Sequence, residues 1–229
     1  MDLLEAIKVR HSVRSYTDQK IEGEVLNELH QIINQCNKDS GLNIQLCLNE
    51  PRAFSGLMAR FGKFNNVKNY IALVGEKSDS LDEKCGYYGE KIVLKAQQLG
   101  LNTCWVGMTF NKRKSKKAIM LNSDEKLLMV IAIGYGKTNG VSHEVRPIEK
   151  LCNIKEFNES VPEWFLNGMK AVQLAPSAMN QQKFTFELDG DMINTNSGSG
   201  SNTKIDLGIA KYHFEIGAGE KGWNWSYDL

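Results

Sequence analysis

The sequence predicts a mixed α+β protein, and three observations carry that prediction. Apolar residues recur at helical spacing in several stretches, and two short, almost wholly apolar runs suit buried central strands. Near the C-terminus an alternating stretch meets Asp189-Gly190, the dipeptide of a tight hairpin turn. At 229 residues the chain can bury a substantial core without disulfides.

Taken in order, Asp2 and Glu5 have the spacing of a capping box, and Leu3, Leu4 and Ile7 mark the apolar face of a short helix ending near Val9. Residues 10–17 have no helical period and read as an extended segment or loop. A second helix is expected over about 23–37, with Leu26, Leu29, Ile32 and Ile33 inward. Gly41 breaks it, and residues 42–46 alternate as a half-buried strand does. The two apolar runs are 70–75 and 129–134, read as buried strands; between them a helix over about 87–99 closes at Gly100, with Ile92, Leu94, Ala96 and Leu99 suited to deep burial. The last third predicts a helix over about 161–174, a loop at Pro176, and a strand in which Phe184, Phe186 and Leu188 alternate with polar residues. After the turn, Met192 and Ile193 begin a return strand, 194–204 reads as a flexible Asn/Ser/Gly loop, and a helix spans about 206–216. The aromatic tail, Trp223, Trp225 and Tyr227, reads as packing rather than ligand stacking. Helix, loop, strand and helix recur in the same order as 25–46 with 87–99 and as 164–188 with 206–216, which suggests a duplication that the residues themselves are too diverged to prove.

Composition narrows the function. A formal net charge of +1 gives no global field for nucleic acid or an anionic membrane, so a small-molecule partner is the default. The five cysteines form no C-x-x-C pair, and their odd count argues for reduced, buried thiols. The four histidines are far apart in sequence and none forms an H-x-x-x-H pair, so no metal site is expected. The N-terminus lacks the basic and apolar regions of a signal peptide, and no apolar run nears the roughly 20 residues that cross a bilayer, which together predict a cytoplasmic protein.

Arg10, Ser12 and Arg14 alternate, and in an extended segment alternate side chains project to one face. Two guanidiniums flanking a hydroxyl suit a terminal phosphate, because arginine gives paired, charge-assisted hydrogen bonds at any working pH. The plainer alternative is that Arg10 complements the C-terminal end of the first helix while Arg14 is solvated. Ala175-Pro176-Ser177-Ala178-Met179-Asn180-Gln181-Gln182 admits two readings as well: a helix stop with a polar turn, or small residues letting backbone approach a flat ring while Asn180 and Gln182 present donors and acceptors to its edge. Gly134-Tyr135-Gly136-Lys137-Thr138-Asn139-Gly140 has the wrong spacing and context for a dinucleotide loop. The basic run 112–117 suits either the extra phosphate of NADPH, an RNA backbone, or a solvated helix face, with the last favoured by the neutral whole-chain charge.

These segments together resemble the FMN-dependent nitroreductase family. Residues 4–16 are similar to its opening, a short helix followed by R-[RH]-S-x-[RK]-x-[FY]. Gly100-Leu101-Asn102-Thr103-Cys104-Trp105-Val106-Gly107 resembles its G-L-[GN]-[ST]-x-W-[IV]-G segment, 127–136 resembles a family strand, and Ala175 to Gln182 resembles A-P-S-x-x-N-x-Q-P-W, with Lys183-Phe184 in place of Pro-Trp. The resemblance implies an α+β nitroreductase-like fold with a central, mostly antiparallel sheet flanked by helices. It implies an FMN site in which Arg10, His11, Ser12 and Arg14 hold phosphate and ribityl, and Val106 and Gly107 offer backbone N–H groups to the ring. Arg146 would hold phosphate, and Pro176, Ser177, Asn180 and Gln182 would line or orient the ring.

In the family's homodimers the first and last of these motifs lie close together near the start of each chain. Here they stand at opposite ends, and 35–41, the usual place of the A-P-S segment, lacks it. The chain therefore resembles a branch in which two similar halves, about 1–150 and 151–229 of a single domain, form a pseudo-dimer within a monomer. The implied activity is ping-pong reduction of a nitroaromatic, quinone or other electron-poor acceptor by NADH or NADPH, with the flavin and no protein nucleophile carrying the chemistry. The alternative is a flavin store or sensor, or a flavin-less protein of the same fold, without turnover.

Overall fold

A computed structural model describes residues 1–156, 161–220 and 222–227. The chain divides into two compact units. The first comprises Met1, Val9–Leu81 and Lys91–Ser142; the second comprises Asp2–Lys8, Asp82–Glu90 and His143–Leu229. The second unit is thus assembled from three stretches distant in sequence. Among the described residues no helix is long and apolar enough to cross a membrane, and no group of three His, Cys, Asp or Glu side chains could hold a metal. All five cysteines are buried free thiols.

The first unit is built on a four-stranded antiparallel sheet of order β1-β2-β4-β3, with β1 Gln45–Cys47, β2 Asn69–Glu76, β3 Asn102–Val106 and β4 Glu125–Gly134. Burial on both faces explains the continuous apolar runs of β2 and β4. Tyr70, Ala72 and Val74 share one face with Val130, Ala132, Cys104 and Val106, a core completed by Val13, Tyr16 and Phe110. Helix α2, Gly23–Ser40, runs slightly past its expected end and stops at Gly41, whose φ of 72° lets its N–H reach Asn37 O. The strand expected at 42–46 is observed only from Gln45, because the Asn37 side chain takes both the N–H and the C=O of Ile44. Helix α3, Leu57–Phe61, and α5, Lys112–Lys116, are short. The basic run 112–117 is a solvated helix and the residue after it, its five cations exposed and Ser115 alone buried.

Helix α4, Leu81–Gln98, begins six residues before its expected start. Asp82 and Glu83 favour a helix N-terminus, and Gly86, which lowers intrinsic helicity, is retained inside for a packing reason described below. In the second unit, α1 (Leu3–Val9) starts where the Asp2 carboxylate accepts from Glu5 N at 2.7 Å. A hairpin of β5 (Thr185–Asp189) and β6 (Met192–Asn196) turns at Gly190, φ 63°, and β7 (Asn224–Trp225) adds to β6 in parallel. Helices α6 (Glu163–Gln173) and α7 (Thr203–Ala218) complete it.

Helix α7 is buried from Ile205 to Phe214 without a solvent face. Phe214 stacks on Phe186 at 5.3 Å between ring centroids and meets the tail indoles of Trp223 and Trp225 at 5.2 and 5.5 Å, so the aromatic tail is packing. Such enclosure requires close backbone approach, which glycines permit. An ideal Cβ on Gly86 would fall 2.1 Å from Ile205 O, and one on Gly208 would fall 2.0 Å from Glu83 O. Gly208→Ala should raise stability by about 1 kcal/mol if helix propensity dominated; the backbone contact makes the expected result a loss of several kcal/mol, on the scale of an overpacked core. Urea unfolding of the variant decides between them, and a midpoint at or above wild type would refute the close approach.

Candidate functional site

The residues singled out from the sequence fall into two groups, one in each unit. In the first, residues 12–17 run extended along the sheet edge. Ser12 bridges Thr103 of β3 in parallel, with Val13 N donating to Thr103 O at 2.9 Å. Thr17 N donates to Tyr135 O at 2.8 Å, and Lys137 N donates to Ser15 O at 2.9 Å, so the segment is held from the other side as well. Tyr16 is buried and its hydroxyl donates to Val13 O at 2.7 Å, and burial raises that phenol well above its ordinary value.

Arg10, Ser12 and Arg14 all act on the Cys104 thiol. Burial dominates and raises that thiol, while Arg14, a hydrogen bond with Ser12, and Arg10 each act to lower it. All three alternate residues therefore lie near enough to influence one thiol. Their exposures differ: Arg10 is 2% exposed, whereas Arg14 reaches solvent. The imidazole of His11 is lowered by burial and then by Arg10, so it adds no third positive charge near neutral pH. Gly140, at φ 79°, packs on it: a Cβ there would fall 2.7 Å from His11 Cβ. β3 ends at buried Val106, and Gly107 beyond it is exposed.

In the second unit, residues 175–182 form a tense loop after α6. Met179, Asn180 and Gln182 all adopt left-handed φ, at 52°, 55° and 44°. Such backbone costs about 1 kcal/mol or more per non-glycine residue and persists only where surroundings impose it. Here the imposition is visible. Ser177 Oγ accepts from Gln182 N at 2.9 Å, Asn180 Nδ2 donates to Glu144 O at 2.7 Å, and Gln182 Nε2 donates to Gln173 O at 2.7 Å. Gln182 Oε1 accepts from Arg146 N at 2.8 Å, while Gln173 Nε2 donates to Arg146 O at 2.6 Å. The structure thus brings Arg146, Ser177, Asn180 and Gln182 together. Gln182, at 1% exposure, is engaged at both ends of its amide, so its role here is to hold the loop, while the Arg146 side chain remains exposed.

Sequence reasoning missed Asp206. Its carboxylate accepts from Ala178 N at 2.9 and 3.0 Å and so pins the loop to α7. The available signal was an acid flanked by Ile205 and Leu207 within an apolar helix, a position that requires a partner. Burial pushes its pKa up to about 6 against the Ala178 hydrogen bond, which pulls it down.

The fold so described is that of the nitroreductases. The chain belongs to the family described as "Putative TM nitroreductase", whose model matches residues 2–218. A solved structure from Thermotoga maritima, described as a "putative nitroreductase", is 24% identical with a TM-score of 0.67, covering 94% of this chain and 83% of that one. One from Desulfovibrio desulfuricans, solved in complex with FMN, is 20% identical with a TM-score of 0.55, covering 69% and 99%. A nitroreductase family protein of Streptococcus pneumoniae is 14% identical with a TM-score of 0.54, covering 68% and 100%. No curated protein matches the chain.

Asp206 gives a pH test. Its folded pKa of about 6 lies above the ordinary 3.8, so the folded state holds the extra proton between those values, and stability falls as pH rises through about 4 to 6. Asp206→Asn cannot ionise yet can still accept from Ala178 N, so its stability relative to wild type should climb across that window by about 2–3 kcal/mol. Chemical denaturation at pH 4 and pH 7.5 checks this, and a constant difference between the two proteins would contradict it.

Proposed function

We propose that the chain is an FMN-dependent oxidoreductase that reduces electron-poor acceptors, such as nitroaromatics or quinones, at the expense of NADH or NADPH. The observation that carries this reading is the Arg10, Ser12 and Arg14 set. They stand at alternate positions of a segment that Ser12 bridges to Thr103 of β3, and two guanidiniums with a hydroxyl at that spacing are a donor set suited to a phosphate. The neighbour from Desulfovibrio desulfuricans, which holds FMN on a similar fold, supports the choice of cofactor.

In this reading Arg10, Ser12 and Arg14 bind the phosphate and His11, neutral, donates or accepts beside the ribityl chain. Val106 and Gly107 offer backbone donors, with the exposed glycine leaving room for a flat ring. Ser177 and Asn180 face or orient the ring, Pro176 shapes the loop, and Gln182 keeps that loop rigid through Gln173 and Arg146. Bound FMN would supply the redox chemistry of a ping-pong cycle, taking hydride from the reduced nicotinamide and passing electrons to the acceptor. The protein's own part is to bind, orient and pre-organise, and strain held in residues 179–182 serves the last of these.

Purified protein should be yellow, and anaerobic NADH or NADPH should bleach it. A yellow protein that resists bleaching would fit a flavin store or sensor instead; a colourless chain that cannot be reconstituted would remove both readings. Arg14→Ala and Asn180→Ala should each weaken FMN by about tenfold or more, the scale of one charge-assisted or buried hydrogen bond. Fluorescence titration of FMN measures it, and wild-type affinity in both variants would refute the assignment.

A further inference from the structure

The second unit carries a recess of about 390 Å³ whose charge the reading above leaves unused. Arg146, Lys150 and Lys183 line it together with Thr185, Asn196 and Ser199, and no carboxylate is among the lining residues. Three cationic residues thus line one recess in a chain whose net charge is +1. Among the described residues no acidic side chain pairs with any of the three cations.

The alternation of β5 explains how the recess is furnished. Phe184 and Phe186 point into the core, so Lys183 and Thr185 face outward. The loop after β6 then lies along Lys183: a Cβ on Gly198 would fall 2.7 Å from Lys183 O, and one on Gly200 would fall 3.6 Å from Lys183 Nζ. Gln182 and Gln173 hold the Arg146 backbone by its N–H and its C=O, which fixes the origin of that guanidinium. An arginine with a fixed origin, two lysines and three neutral donors suit a compact dianion. A phosphate monoester carries about −1.5 to −2 charges near neutral pH and three acceptor oxygens.

We propose that this recess binds a phosphate monoester and that, in the reaction proposed above, it selects NADPH over NADH by holding the 2′-phosphate. The first part stands on the recess alone; the second rests on the oxidoreductase reading. Lys183 stands where the family motif has the Pro of its Pro-Trp, and the recess gives that departure a use. The basic run 112–117, most of it on a short helix, has its charges exposed and is a poorer receptor.

The test uses the full chain as purified, with adenosine 2′-monophosphate and adenosine as calorimetric probes, on wild type, Lys150→Gln and Lys183→Gln. The expected result is that the phosphate-bearing probe binds at least about tenfold more tightly than adenosine, and that each variant loses about tenfold of that affinity, as for one charge-assisted hydrogen bond. The ratio of kcat/KM for NADPH to that for NADH should fall by a similar factor, with FMN affinity as in wild type. Equal binding of the two probes, or wild-type affinity in both variants, would overturn the proposal. Loss of FMN from the variants would overturn the NADPH assignment and place the flavin phosphate in the recess. A protein that neither nicotinamide reduces would refute the oxidoreductase reading, while calorimetry would still decide the recess.

Discussion

A helix buried on every side must find a partner for each polar side chain it carries, and α7 meets that requirement repeatedly. Lys211, fully buried, pairs with Glu83 at 2.8 Å and lies 3.8 Å from the Tyr227 ring centroid. His213, also fully buried, contacts Ala171 O through Nδ1 at 3.1 Å and Glu90 Oε1 through Nε2 at 3.0 Å. A carbonyl can only accept, so Nδ1 carries hydrogen, and the Nε2 contact holds one shared proton whichever partner owns it. Glu215 accepts from the Tyr87 hydroxyl and from Trp225 Nε1, the latter at 2.8 Å. Glu83 and Glu90, seven residues apart, lie on one side of α4, which accounts for the acids that a helix in an apolar environment would otherwise exclude.

The tense loop inherits its position from the same helix. Asp206 accepts from Ala178 N, and Gly168 on α6 leaves room for the Phe214 ring, 2.6 Å from where its Cβ would sit. With α6 and α7 so fixed, the chain leaving Gln173 has little choice of path, and the left-handed residues at 179, 180 and 182 follow. The cost of that backbone is offset by hydrogen bonds from side chains that the motif itself supplies, Ser177, Asn180 and Gln182.

Elements governed by local pattern were legible in the sequence. Helix periodicity found α2, α6 and α7 to within a few residues, the apolar runs found β2 and β4, and Gly41 and Gly100 were helix ends because only a left-handed backbone serves there. What could not be read depended on tertiary partners. The start of α4 was hidden by Gly86, whose reason is a carbonyl on α7. The late start of β1 was hidden by Asn37, which substitutes for a strand neighbour. For the site, the motif residues were legible as a set, and their division of labour was not. Gln182 offers an amide by its type, and only the fold shows that both ends of it are spent on Gln173 and Arg146.

The second unit draws together residues 2–8, 82–90 and 143 onward. During synthesis Glu83 and Glu90 leave the ribosome long before their partners; Glu90 precedes His213 by 123 residues and Tyr87 precedes Glu215 by 128. Until α7 emerges, Lys211 and His213 are absent from the sides of Glu83 and Glu90, and the Ile205 carbonyl that the Gly86 notch receives is not yet there. Such long-range closure is slow and comes late. The first unit, whose sheet is complete by Gly134, has the opportunity to form early, leaving the unfinished stretch of α4 as the surface that a nascent chain must keep from aggregating.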